Sequence, residues 1–169
     1  MMKAKHTLFG IFVILVISLV AFRWYQFFFG SIEQPIAFSH KVHTEILKCE
    51  DCHRGVLTAA AATLPDVQAC TGCHSEEPLS KSPEEKKLIN FIKQKRDIDW
   101  KRLYRNPVHV YFSHNRHVTV GKVECEKCHG EMRKAVRPPG RALISMSMSY
   151  CISCHEKHDV DPSCITCHK

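Results

Sequence analysis

The chain has 169 residues, a length that holds it to about one domain. Ten of those residues are cysteine, which leaves two classes open: a disulfide scaffold, or a metal or cofactor protein. The formal net charge is +7, from 24 Lys+Arg against 17 Asp+Glu, and taken alone it would suggest nucleic acid or a membrane surface.

The N-terminal residues 1–7 carry Lys3 and Lys5. Residues 8–22 then run without a charge, Arg23 interrupts, and Trp24, Tyr25, Phe27, Phe28 and Phe29 follow. Taken to Phe29 the stretch would make roughly 33 Å of helix, enough for the hydrocarbon core of a bilayer. Arg23 can snorkel there, and Trp24 and Tyr25 suit an interface. The preceding lysines predict a cytoplasmic N-terminus, and no small-x-small cleavage site follows the run. The expectation is one N-terminal transmembrane helix, an uncleaved signal anchor over residues 8–29. It would be single-pass in the cytoplasmic membrane, with residues 30–169 as a domain on the extracytoplasmic, periplasmic side.

Phe38-Ser39-His40-Lys41-Val42-His43 comes next, and Cys49-Glu50-Asp51-Cys52-His53 follows it. Ala59 to Ala62 suggests a short helical turn whose small side chains permit close approach. Cys70-Thr71-Gly72-Cys73-His74 is a second C-x-x-C-H. Ser82-Pro83-Glu84-Glu85 reads as a helix start, with serine as N-cap and proline at the first position. Leu88, Ile89, Phe91 and Ile92 recur at helical spacing, and Lys86, Lys87, Lys93, Lys95 and Arg96 cover the other faces. This helix reads as a surface helix packed on a cofactor, or as a docking element that Trp100 and Tyr104 extend.

Phe112-Ser113-His114-Asn115-Arg116-His117 repeats the F-S-H-x-x-H pattern, with His109 just ahead of it. Three further motifs complete the chain: Cys125-Glu126-Lys127-Cys128-His129, Cys151-Ile152-Ser153-Cys154-His155 and Cys164-Ile165-Thr166-Cys167-His168. All ten cysteines are thereby used. The repeated pattern marks an internal duplication, with units of about 38–74 and 112–155 and a fifth motif at 164–168.

The spacing has a chemical reason. Two thiols three positions apart can each add to a haem vinyl group, and the next residue, histidine, then supplies the proximal nitrogen to the iron. Zinc ribbons use C-x-x-C pairs but have no need of histidine after every second cysteine. Disulfides within each motif would leave the histidines unexplained, and a thioredoxin-like motif lacks its βαβ context. The cofactors implied are five covalently bound haem c. Their propionates would add about ten negative charges, so the basic residues read as partial counter-ions, with no nucleic acid as a partner.

Twelve histidines are present. His53, His74, His129, His155 and His168 are proximal, and His6 lies before the apolar run. His40, His43, His114, His117 and His158 are expected as distal ligands, with His109 behind them in reserve. Residues three apart on a helix lie on neighbouring faces, so one short F-S-H-x-x-H turn can offer its two imidazoles to two haems, with Phe38 and Phe112 packed on porphyrin planes. Met132, Met146 and Met148 form a second reservoir, read chiefly as apolar cover. About 140 residues after the anchor leave roughly 28 per haem, so the fold class expected is mostly irregular with short α-helices.

F-S-H-x-x-H ahead of C-x-x-C-H resembles the class III cytochromes c. The resemblance implies that His40 serves the haem of Cys49 and Cys52, that His114 serves the haem of Cys125 and Cys128, and that His43 and His117 reach other haems. Residues 34–41 and 110–114, Cys128-His129-Gly130 with Met132, and Ser147-Met148-Ser149-Tyr150-Cys151 are similar to the pentahaem, membrane-anchored subunit of alternative complex III and related menaquinone-oxidising complexes. That resemblance implies a non-enzymatic relay beside quinol-oxidising membrane and iron–sulfur subunits, delivering electrons to a periplasmic or membrane acceptor, a cytochrome or an oxidase. A stand-alone quinol dehydrogenase and a multihaem reductase with an open haem iron are the alternatives. The supply of histidines argues against the open-iron reductase, and one helix with no clear acid–base pair beyond Glu33 argues against the stand-alone quinol dehydrogenase.

Overall fold

The computed structural model describes residues 2–168, with side chains described outside 2–5, 7, 8 and 26–29. It divides into two units, residues 1–32 and residues 33–169.

The first unit contains α1 (Met2–Phe29). Phe9, Ile14, Leu15, Ile17 and Leu19 are all exposed on it. Among the described residues no helix is long and apolar enough to cross a membrane. This corrects the single-pass anchor expected over residues 8–29, and with it the membrane localisation and the periplasmic side assigned to residues 30–169. The physical reason is length: the charge-free run 8–22 gives about 22 Å of helix against a hydrocarbon core of roughly 30 Å. Lys3, Lys5 and the aromatics at 27–29, which carried the orientation and the extension of the span, lie outside the described side chains.

The second unit is a series of short turns. Its elements are α2 (His40–His43), α3 (Cys49–Cys52), α4 (Gln68–Thr71), α5 (Pro83–Lys93), a π-helical turn at Asn115–Val120, α6 (Glu126–His129), a 3-10 turn at Met132–Lys134, α7 (Met148–Lys157) and α8 (Cys164–Cys167). Among the described residues there is no strand, only an isolated antiparallel bridge between Val110 and His168. The mostly irregular, short-helical class expected from the sequence is what this unit shows.

Helix α5 starts where the sequence predicts. Ser82 accepts a hydrogen bond from the Glu84 N–H at 3.2 Å, and Pro83 opens the first turn. Its apolar side turns inward: Leu88 packs with Ile36, Val67 and Ile98, flanked by Phe91, Ile92, Trp100 and Cys70. Glu84 ties the same helix to the chain entering the unit by accepting from the Ala37 N–H at 2.6 Å. Trp100 donates from Nε1 to the Pro65 carbonyl, and Tyr104 Oη accepts from the Leu143 N–H. These two aromatics anchor loops and do not extend an α5 surface.

The helical turn expected at residues 59–62 is absent, and residues 59–61 form bends. Their carbonyls serve another segment: Ala59 O accepts from Asn115 N, and Ala60 O accepts from His114 N. A mirror of this bond joins the other repeat, where Ala135 O accepts from Lys41 N at 3.0 Å. Ala59 and Ala135 each stand six residues after a motif histidine, and Lys41 and Asn115 each follow the first histidine of an F-S-H-x-x-H. Each motif loop therefore grips the histidine turn of the opposite repeat.

The repeats differ by two residues between the histidine turn and the next motif. The π-helical turn absorbs the excess: Gly121 N–H bonds to Arg116 O and Val123 N–H to His117 O, both wider than an α-turn. Gly121 permits this, because a Cβ there would meet His117 O at 2.9 Å.

Candidate haem sites

Each C-x-x-C-H is one helical turn. The histidine N–H bonds back to the carbonyl of the first cysteine: His53 to Cys49 at 2.8 Å, and His74 to Cys70, His129 to Cys125 and His168 to Cys164 at 2.9 Å. The fourth motif lies inside α7. Three and four residues on, side chains share one helix face, so both thiols and the imidazole of each motif point the same way.

The histidines come in facing pairs. His43 and His74 have ring centres 6.2 Å apart, His114 and His129 6.4 Å, His117 and His155 6.1 Å, and His109 and His168 5.3 Å. His114 and His129 are nearly parallel, at 4°. The fifth motif histidine, His53, neighbours His40: burial above all, then the charges of His53 and His43, draws the His40 imidazole down to about 4. Burial likewise lowers His129, with His114 and His53 beside it.

Phe38 and Phe112 stand differently from expectation. Each stacks on the second histidine of its own segment and meets the first edge-on: Phe38 with His43 at 4.2 Å and His40 at 5.0 Å, Phe112 with His117 at 4.5 Å and His114 at 4.9 Å. The phenyl ring is a wedge between the two imidazoles of a turn, edge-on to the first and stacked on the second. Second-histidine orientation is also shared between repeats, since His43 Nδ1 and His117 Nδ1 each donate to a serine carbonyl four residues back, both at 2.8 Å. That bond fixes the proton on Nδ1 and leaves Nε2 as the free ligand atom.

Of the two histidines weighed last, the structure pairs the less favoured one. His109 lies against His168, whereas His158 caps the end of α7 and is exposed. Met148 is exposed, and Met132 sits in the 3-10 turn.

The motifs also neighbour one another in order. Burial pushes the Cys70 thiol up to about 11, with Cys52 next to it. Burial does the same for Cys125, with Cys49 beside it. Cys128 neighbours Cys154 and Cys151, and Cys151 neighbours Cys167. The spatial sequence is therefore second motif, first, third, fourth, fifth. None of the ten cysteines is in a disulfide. Among the described residues no three His, Cys, Asp or Glu side chains converge as a bare metal site.

The arrangement fits haem. With metal–imidazole bonds of about 2 Å on both sides of one ion, ring centres lie roughly 6.3 Å apart. Three of the measured pairs fall within a few tenths of that separation.

The comparisons with known proteins agree. Residues 25–99 match the class III cytochrome C family, and residues 110–169 match cytochrome c7 and related cytochrome c. Over 187 aligned residues the chain is 31% identical to the menaquinone reductase, multihaem cytochrome c subunit of Nitratidesulfovibrio vulgaris strain Hildenborough, covering 94% of this chain and 88% of that protein. The chain is a multihaem cytochrome c. Members of these families bind haem c covalently. The two family matches divide the cytochrome near residue 100, in the same place as its duplication.

Proposed function

We propose that this cytochrome is a five-haem electron-relay subunit of a menaquinone-linked complex. The carrying observation is that four of the five motif histidines face a second histidine ring, and the fifth, His53, neighbours His40. Cys49 and Cys52 with His53 and His40 hold one haem. Cys70 and Cys73 use His74 and His43; Cys125 and Cys128 use His129 and His114; Cys151 and Cys154 use His155 and His117. Cys164 and Cys167 use His168 and His109. When bound, the haems supply one-electron redox chemistry.

The chain's own residues make this a relay. In each site two imidazoles would hold the iron, which would leave no position for a substrate. Phe38 and Phe112 hold neighbouring ligands at fixed angles, and the cross-repeat bonds to Ala59 and Ala135 fix the first and third sites against each other. The motif order puts the second and fifth sites at the two ends.

The menaquinone link is supported by the relative from N. vulgaris, which is named for reducing menaquinone. That favours electron flow toward menaquinone, the reverse of the quinol oxidation expected from alternative complex III. Partners of this chain are then an electron donor at one end and quinone-reactive subunits at the other.

Pyridine haemochrome absorbance on the purified protein tests the count, and electron paramagnetic resonance tests the ligation. Five haems per chain, all low-spin when oxidised, is the expected result; fewer than five, or a dominant high-spin signal, overturns it. A second reading rests on the fifth site. His109 is exposed and its ring lies only 5.3 Å from His168, so this distal ligand is the one placed to exchange.

A further inference from the structure

Six of the paired imidazoles have a partner at Nδ1. Five donate to backbone carbonyls: His43 to Ser39, His53 to Thr63, His114 to Ala60, His117 to Ser113 and His155 to Asp161. His74 is different, donating to the Glu85 carboxylate at 2.9 Å. Glu85 is the buried charged residue among those described, at 8% exposure in the first turn of α5. Three more donors hold it: Leu79 N–H at 2.9 Å to the same oxygen, and Ser80 N–H at 2.7 Å and Ser80 Oγ at 2.5 Å to the other. Nothing in haem attachment requires a carboxylate here, and four donors on one buried group mark a built position.

We propose that Glu85 sets the reduction potential of the haem held by Cys70 and Cys73, keeping it the lowest of the five. An N–H bond to a carboxylate makes the imidazole a more basic ligand than a bond to a neutral carbonyl does, and a more basic ligand favours ferric iron. A buried anion close to the site adds to this, because oxidation leaves one more positive charge to stabilise. The second site stands at one end of the motif order, so the residue defines a low-potential terminus of the relay. Glu85 acts through His74 and is a positioning residue, not a catalytic one.

This inference rests on the relay reading, and one set of measurements separates the two. Spectroelectrochemical titration is run on the full holoprotein and on its Glu85→Gln, Ser80→Ala and Glu84→Gln variants, each with a haemochrome count. Glu85→Gln should raise the lowest couple by at least tenfold in its oxidised-to-reduced ratio at fixed potential, about 59 mV for one electron. Ser80→Ala removes a competing donor and should move the same couple the other way. Glu84→Gln, whose carboxylate faces Ala37 and Lys87, should leave it in place. A lowest couple unmoved in both of the first two variants, or a uniform shift of all couples, overturns the role of Glu85. Fewer than five haems in the unaltered protein overturns the relay reading instead.

Discussion

His109 and His158 show how one residue's role depends on its neighbours. His158 is three residues from His155 in sequence, but it caps α7 with its backbone and leaves its ring in solvent. His109 is 59 residues from His168, yet backbone pairing of Val110 with His168 and of Tyr111 N–H with the Cys167 carbonyl carries it there. Replacing His109 with alanine is expected to turn one iron in five high-spin. The His158→Ala protein should keep all five low-spin, and electron paramagnetic resonance of the oxidised proteins reads both outcomes. The cysteines and proximal histidines were legible in the sequence because their chemistry is local, confined to five consecutive residues. Distal pairing was legible only in part: the class III resemblance placed His40 and His114 with their motifs, whereas His43, His117 and His109 meet their partners only after the chain has folded between them. The buried Glu85 was missed for a related reason: it reads as an ordinary first-turn acid of a helix, and only the packing of the 75–82 loop brings His74 to it.

Among the elements, α5 and the π-helical turn carry the clearest consequences. The Ser82 cap satisfies an otherwise unpaired N–H at the start of α5, so Ser82→Ala should cost about 1 kcal/mol in denaturant unfolding. Glu84 is held below the ordinary carboxylate value of 4.5, first by its hydrogen bond from Lys87 and then by the Ala37 N–H. A depressed carboxylate contributes stability that is present above its unfolded value and lost as pH falls through its folded value. Glu84→Gln should therefore flatten the acid side of the stability profile below about pH 4.5 and leave neutral and alkaline behaviour to the remaining groups, as thermal melts across pH can check. In the π-helical turn, Gly121→Ala would set a Cβ against His117 O, and widening the turn should cost about 1–3 kcal/mol and displace the ligand of the fourth site. The expected readout is a lower melting temperature together with a new high-spin signal. The start of α5 was legible from Ser82 and Pro83, which are local signals. The π-turn showed in the sequence only as two surplus residues, and nothing local said where they would be taken up.

At the scale of the whole molecule, the second unit is too thinly packed to stand on protein alone. Its buried apolar residues are Ile36, Val67, Leu88, Ile89 and Ile98, clustered beside the second motif. Val42, Val108, Val120, Val136 and Ile165 are exposed around the other sites. So small a core cannot offset the conformational entropy of a chain this long. Protein produced without haem attachment is accordingly expected to lose its compact fold, seen as rapid proteolysis and a flat thermal transition, while the holoprotein resists both. Residues 8–29 mark where sequence reading went too far: counting Arg23 and the flanking aromatics into one span lengthened an apolar run that ends at Phe22. What the sequence determined by itself was the chemistry of attachment, the duplication and the sparse short-helical architecture, because covalent spacing and local turn preferences are written in consecutive residues. The tertiary structure alone decided which histidines face His74, His155 and His168, the order of the motifs and the carboxylate behind His74. Those relations join residues 11 to 76 positions apart, and only packing brings them within reach.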